Sequence, residues 1–130
     1  MKLITGDVFY GTHADLLNAI GIRTKDGKSF KQYYKGTYEL DNNTYIWIIS
    51  IDGKERSGWR NSWYGTDTII EENLENYTHP IGITHKYRLV FDKKPTGRGN
   101  KFNFMGYYML QPESTNRKRI ITKVNDSFNL

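Results

Sequence analysis

The segment Trp59-Arg60-Asn61-Ser62-Trp63-Tyr64 places three aromatic rings and three polar side chains within six residues. Large aromatic rings offer a stacking surface, and an amide or a guanidinium beside them can form hydrogen bonds. Glycines on both sides of the segment predict a loop, and loops on a rigid scaffold often carry binding groups. The alternative is structural: the two tryptophans are then core residues four apart on a helical turn, or they cover one end of a barrel.

Basic residues form a second group, which is concentrated in the last 45 residues of the chain. Lysine and arginine side chains that flank a hairpin loop can hold phosphates, and the net charge of +5 agrees with a nucleic acid or nucleotide partner. The predicted phosphate contacts are Arg88, Lys93, Lys94, Arg98, Lys101, Arg117 and Arg119. Successive strand residues point to opposite faces, so Arg117, Lys118 and Arg119 cannot all reach one ligand. The alternative is a solvated basic surface.

No constellation of catalytic residues can be argued from the sequence. Cysteine is absent, and the three histidines lack the spacing of a zinc site or of a catalytic dyad. No glycine-rich phosphate loop lies between a strand and a helix. We therefore assign no catalytic residue, no metal and no cofactor, and we expect a binding module rather than an enzyme.

A metal-dependent nuclease is the alternative from the enzyme class. Asp41, followed by a strand and then Asp52-Gly53-Lys54, imitates the PD-(D/E)xK spacing, in which two acidic residues bind Mg²⁺ and the lysine assists the attacking water. The proline before Asp41 is missing, and Asp-Gly is a common hairpin turn, which would place Lys54 beyond the turn. Glu71 and Glu72 could add ligands, but neighbouring helical residues diverge by about 100°.

Several elements can be predicted from local signals. Thr12 and Asp15 resemble a capping box, and with Gly21 they predict a helix over Thr12 to Ile20. The segments Tyr34 to Leu40 and Thr44 to Ile51 predict a β-hairpin, whose second strand is covered on both faces.

The second half of the chain predicts mainly strands. His85 to Phe91 and Lys101 to Leu110 form a long hairpin, in which Gly106 indicates a bulge or a close approach by another backbone. Thr68 to Tyr77 fits a helix or a strand equally well. Arg117 to Val124 is predicted to be an edge strand, because its charged side chains would discourage aggregation.

Together these elements predict one α+β domain over residues 1–130. Its sheet is curved or barrel-like and mostly antiparallel, with five to seven strands and one or two short helices. The longest apolar run, Tyr45 to Ile51, is too short to span a bilayer, so we expect no membrane partner and a cytoplasmic location.

The C-terminal third combines Tyr87 to Phe91, a glycine-containing loop, Phe102 to Leu110 and a basic last strand, about 45 of the 130 residues. In this pattern it resembles the PUA-like/SRA-like modules of restriction systems. The resemblance implies a PUA-like fold and recognition of a modified base in DNA, rather than RNA, by taking the base into a pocket. On that reading Trp59, Asn61, Trp63 and Tyr64 form the base pocket, while the basic hairpin holds the backbone.

A further alternative is a defence or anti-defence protein of a phage or mobile element, which binds a host protein or a nucleotide messenger. Its basis is the small size of the chain and the absence of catalytic residues.

Overall fold

The computed structural model describes residues 1–75 and 85–130, which form one helix and eleven strands. Helix α1 spans His13–Ala19. The strands, in chain order, are β1 (Lys2–Ile4), β2 (Val8–Gly11), β3 (Thr37–Glu39), β4 (Thr44–Ile49), β5 (Glu55–Arg56), β6 (Trp59–Tyr64), β7 (Thr68–Asn73), β8 (Tyr87–Thr96), β9 (Gly99–Leu110), β10 (Lys118–Asn125) and β11 (Ser127–Asn129). Within these ranges no helix is long and apolar enough to cross a membrane.

Nine of these strands form one mixed sheet. Its order is β3-β4-β8-β9-β10-β7-β6-β5, with β2 also paired to β9, while β1 and β11 pair separately. Strands β4 and β8 run parallel, and every other pairing between described strands is antiparallel. The predicted α+β class with a barrel-like, mostly antiparallel sheet is confirmed. The prediction of five to seven strands was too low, because strands of two or three residues carry no periodic pattern.

The sheet is curled. Arg88 on β8 contacts Glu71 on β7 at 3.2 Å, although two strands lie between them in the sheet order. In a flat sheet, three strand spacings of about 4.8 Å would separate these backbones by about 14 Å. The curl gives the sheet an inner face, which carries Arg88 and Glu71, and an outer face.

Each face of the sheet has its own apolar core. On the outer face α1 and the chain termini pack against β4, β8 and β9, with Leu16, Phe91 and Phe104 fully buried. The inner core is smaller and includes Trp47, Val90 and Tyr108. The central strands are therefore covered on both sides, as predicted for Thr44 to Ile51.

The predicted helix and both predicted hairpins are confirmed. Helix α1 has the capping box, since the Thr12 hydroxyl accepts from the Asp15 N–H and the Asp15 carboxylate accepts from the Thr12 N–H. Strands β3 and β4 pair, as do β8 and β9. A bulge interrupts the second pairing beside Gly106, which has a φ of +129°.

Two open or wrong predictions concern the other half of the sheet. The segment Thr68 to Tyr77, for which a helix and a strand were both open, is strand β7 up to Asn73. Its last two residues lie outside the described residues. The prediction that the last basic strand lies at an edge was wrong, because β10 lies between β9 and β7. Its charged side chains Arg119 and Lys123 point inward. Arg119 contacts the Glu71 carboxylate and the Trp59 ring, and Lys123 lies over the Tyr108 ring.

Candidate functional site

Trp59 to Tyr64 form strand β6, so the prediction of a loop was wrong. The flanking glycines, Gly58 and Gly65, have φ values of +83° and +69° and form the turns that end the strand. Aromatic residues between two turns favour a strand, because they pack well on a pleated surface. The loop prediction gave the glycines too much weight.

Strand alternation divides the six residues between the two faces of the sheet. Trp59, Asn61 and Trp63 lie on the inner face, opposite the buried Asn73, Glu71 and Ile69 of β7. Tyr64 lies on the outer face and is 74% exposed. It lines an outer groove of about 330 Å³ with residues of β7 and β10. The structure therefore brings three of the four predicted pocket residues to one face.

A buried ion cluster joins three strands on the inner face. Glu71 Oε1 accepts from Arg88 Nη1 at 3.2 Å and from Arg119 Nη1 at 3.1 Å. The Arg88 guanidinium lies over the rings of Tyr45 and Trp47, with 5.0 and 4.4 Å between the guanidinium carbon and the ring centroids. Burial raises the pKa of the Tyr45 hydroxyl, so this ring stays uncharged beside the cluster.

The ion cluster holds a ring of the predicted pocket. The Arg119 guanidinium lies 5.0 Å from the centroid of the Trp59 ring, an arrangement in which the cation and the ring attract each other. Two arginines and one glutamate leave one net positive charge in the cluster itself. Asn61 lies beside the cluster, opposite Glu71, and no described residue forms a hydrogen bond with its buried Oδ1.

Trp63 lines a cleft of about 370 Å³ together with residues of the β8–β9 hairpin. The hairpin contributes Asp92, Lys94, Lys101 and Asn103. Lys94 and Lys101 are direct cross-strand partners, and two like charges in this arrangement destabilise a sheet unless an anion lies between them. The cleft therefore combines a stacking ring with a pair of cations that would be stabilised by a phosphate.

Asp92 supplies a carboxylate at the floor of the same cleft. Its Oδ1 accepts from the Ile51 N–H at 3.1 Å. Burial raises the pKa of Asp92, while that hydrogen bond and the charge of Lys94 act in the opposite direction. A buried carboxylate next to a tryptophan ring can accept hydrogen bonds from the amino edge of a bound ligand.

Trp59 and Asn61 line a second cleft, of about 250 Å³, which lies between β4 and β6. Its basic lining residues are Lys54, Arg56 and Lys93. Arg56 is paired with Asp52 at 2.5 Å, and this hydrogen bond holds the pKa of Asp52 well below its usual range. The pocket predicted from the sequence is thus divided between two neighbouring clefts.

The seven predicted phosphate contacts have different surroundings. Arg88, at 0% exposure, and Arg119 belong to the buried ion cluster, where both guanidinium groups contact Glu71 instead of the surface. Lys94 and Lys101 line the Trp63 cleft, and Arg98 lies at the exposed hairpin tip. The other two are Lys93, which points to the outer face, and Arg117, which is exposed next to β10.

Sequence reasoning missed Asp92, Asn103 and Glu71 as parts of a binding surface. Alternation along His85 to Phe91, continued by one residue, would have placed Asp92 on the same face as Arg88. Glu71 was considered only as a metal ligand, because its strand was not assigned.

The residues of the nuclease alternative do not come together. Asp41 and Asp52 lie beyond opposite ends of β4, whose six residues span about 20 Å at about 3.3 Å each. Asp41 accepts from the Asn43 N–H and Asp52 from the Lys54 N–H, so both serve local turns. Over residues 1–75 and 85–130, no group of three histidine or acidic side chains could hold a metal ion.

Comparisons with known proteins support the fold. No protein-family model and no curated protein sequence matches the chain. Among solved structures, the chain is similar to the 5-hydroxymethylcytosine-specific restriction enzyme AbaSI, with a TM-score of 0.70 and 20% sequence identity. The match covers 98% of this chain and 42% of that protein, so the chain spans less than half of its length. This likeness confirms the predicted PUA-like/SRA-like fold.

Proposed function

We propose that this chain is a non-enzymatic DNA-binding module that reads a modified base on the inner face of its curled sheet. The observation that carries the proposal is the cleft shared by Trp63, Lys94 and Lys101. A stacking ring and phosphate-binding cations, which are separate in the sequence, meet there. The sheet thereby meets both requirements of base recognition, a surface for the base and a counter-charge for the backbone.

The energetics favour a base that has left the duplex. Extruding a base costs a few kcal/mol, which the pocket and the phosphate contacts must repay. Stacking on an aromatic side chain contributes about 1–3 kcal/mol per base, and each charged phosphate contact adds to it. The two clefts beside Trp59 and Trp63 are lined by such rings and by Asn61 and Asp92, which can form hydrogen bonds with a base edge.

The similar structure supplies the modification to be tested first. The restriction enzyme that shares this fold is specific for 5-hydroxymethylcytosine. We therefore propose cytosine modified at carbon 5 as the first ligand to test. A hydroxymethyl group can donate to an acceptor, and the Asp92 carboxylate and the Asn61 Oδ1 are acceptors on the inner face.

The test is a titration of fluorescently labelled duplexes that contain either one 5-hydroxymethylcytosine or one cytosine in the same sequence. We expect tighter binding of the modified duplex. Trp63→Ala or Trp59→Ala should weaken it about 5- to 150-fold, since about 1–3 kcal/mol of stacking is lost. Equal affinity of the wild-type protein for both duplexes would contradict base recognition.

Tyr64→Ala is the matched comparison, because Tyr64 is an aromatic residue of the same strand on the opposite face. If the inner face binds the base, this variant keeps the wild-type affinity. A loss as large as that of Trp63→Ala would instead favour the pocket predicted from the sequence, in which Tyr64 takes part.

A further inference from the structure

The outer face of the β8–β9 hairpin has a cleft of its own, which shares Lys93 with the Trp59 cleft and no other described lining residue with either inner cleft. Its volume is about 440 Å³. It lies between the start of α1, the segment at residues 31–34 and the hairpin, and its lining residues include Thr12, His13, Lys31, Tyr34 and Lys93. Lys93 and Lys94 are neighbours on β8 and point to opposite faces, so the hairpin presents cations on both sides.

Lys93 is held in this cleft by a neutral histidine. His13 Nδ1 lies 2.9 Å from the Lys35 carbonyl oxygen, which can only accept, so Nδ1 carries the hydrogen. Lys93 Nζ, an ammonium group that can only donate, lies 3.2 Å from His13 Nε2, so Nε2 accepts and the imidazole is neutral. An edge contact with the Phe102 ring fixes the imidazole further. The ammonium group is thus positioned by a hydrogen bond that uses one of its three N–H donors.

The charge in the cleft is uncompensated. Lys31 adds a second ammonium group, and none of the described residues that line the cleft is acidic. Over the described ranges, no carboxylate lies within ion-pair distance of Lys93. A half-buried cation without a counter-ion is stabilised when an anion enters.

An aromatic ring lies at the rim of the same cleft. Tyr34 is 83% exposed, and its hydroxyl donates to Gln32 Oε1 at 2.9 Å, which orients the side chain. An exposed tyrosine ring beside two lysines offers stacking and charge together. Inorganic anions need only the charge, whereas a nucleotide would use both.

We propose that this outer cleft binds the phosphate group of a nucleotide, with Lys93 and Lys31 pairing with the phosphate and Tyr34 stacking on the base. Of the three residues assigned here only Lys93 also lines an inner cleft, and its ammonium group contacts His13 in the outer cleft. Lys31 and Tyr34 line the outer cleft alone and distinguish this site from the inner face. The phosphate comes either from a free nucleotide or strand end, as a monoester, or from the interior of a single strand, as a diester.

Binding is measured by titrating the isotope-labelled chain and following its backbone amide resonances. The probes are a nucleoside 5′-monophosphate, a dinucleoside monophosphate and the uncharged nucleoside. We expect the phosphorylated probes to shift the resonances of His13, Lys31 and Lys93, and the uncharged nucleoside to bind at least tenfold more weakly. Tighter binding of the monoester identifies a free nucleotide or strand end as the source, and tighter binding of the diester identifies a strand interior.

Two variants test the assigned residues. Lys93→Met and Tyr34→Ala should each weaken the phosphorylated probes about tenfold, whereas Lys25→Met, which removes an equal charge from an exposed position, should not. Tyr34 is exposed, so its variant stays informative even if Lys93→Met folds poorly. Unchanged affinity in Tyr34→Ala together with unchanged affinity in a folded Lys93→Met, or shifts confined to the inner face, would overturn the proposal.

Discussion

Glu71 is the residue on which the inner face depends most. One carboxylate oxygen, Oε1, accepts hydrogen bonds from two buried arginines, so the carboxylate compensates positive charge that is far from solvent. Breaking a buried pair by removing one partner is costly, because the remaining charge stays buried. The same strand carries Glu72, whose pair with Arg60 lies on the outer face and is partly exposed.

We expect Glu71→Gln to lower the free energy of unfolding by about 3–5 kcal/mol, since two buried arginines lose the carboxylate that they share. Glu72→Gln is the matched control and should cost at most about 1 kcal/mol, because exposed pairs contribute little. Urea denaturation of the three proteins measures both values. Similar losses in the two variants would show that the buried cluster contributes no more than a surface pair.

His13 predicts a dependence of stability on pH. Burial lowers its pKa below the ordinary 6.5, and the charge of Lys93 lowers it further, against the hydrogen bond to the Lys35 carbonyl. The unfolded chain therefore binds a proton below about pH 6.5 while the folded chain does not, so stability falls as the pH falls through that range.

We expect His13→Gln to lose less stability than the wild-type chain between pH 7.5 and 5.5. Glutamine keeps an acceptor for Lys93 but does not titrate. Thermal unfolding of both proteins at both pH values measures the loss of stability in each. The contributions of all other titrating groups are the same in the two proteins and cancel when the losses are compared. An equal loss in both proteins would mean that His13 titrates alike in the folded and unfolded chains.

At the level of elements, the bulge in β9 sets how the long hairpin joins its neighbours. Strand β2 pairs with β9 on one side of the bulge, and β10 pairs on the other. Gly106 has a φ of +129°, and a Cβ there would lie 2.9 Å from the Asn125 carbonyl oxygen. Both observations require a glycine at this point.

Gly106→Ala should therefore destabilise the fold by about 1–3 kcal/mol or more, from backbone strain and the close contact. Gly97→Ala at the hairpin tip is the control, since a Cβ there meets open space. We expect a change within about 0.5 kcal/mol for it. Chemical denaturation checks both, and a harmless Gly106→Ala would mean that β9 can pass this point without the bulge.

Elements with local signals were predictable. The capping box of α1 and the alternation of β8 and β9 need only neighbouring residues, and both were assigned from the sequence. Strand β10 was misplaced at an edge because the inward charge of Arg119 is paired with a residue distant in sequence. Arg119 and Glu71 lie 48 residues apart.

The candidate site was predictable only in part. The aromatic residues of β6 and the lysines of the hairpin stand out by composition, but their meeting in one cleft depends on the curl of the sheet. The interior location of Arg88 and Arg119 could not be foreseen, because sequence alone does not distinguish a buried arginine from an exposed one.

For the whole molecule, the net charge of +5 is distributed unevenly in space. Lys94 and Lys101 face the inner clefts, Lys93 faces the outer cleft, and Arg98 lies at the tip between them. The hairpin is thus a basic projection with cations on both faces. Such a distribution attracts a polyanion to either face of the hairpin, and the aromatic residues at each cleft then decide which part of it is bound.

This distribution predicts how DNA binding depends on salt. If Lys94, Lys101 and Arg98 each contact one phosphate of a duplex, the logarithm of the affinity should fall with the logarithm of salt concentration with a slope of about −3. Lys94→Met should weaken modified and unmodified duplexes alike and reduce the steepness of the slope by about 1. Trp63→Ala should instead keep the slope and lose the preference for the modified base.

Titrations at about 50 to 200 mM salt measure the salt slope and the preference for the modified base in the same samples. In this interval phosphate contacts dominate the change in affinity. Lys25→Met controls for the loss of one positive charge away from the hairpin and should keep the wild-type slope. A lysine variant that alters the preference, or a tryptophan variant that alters the slope, would show that the backbone and the base are not bound by separate groups of this cleft.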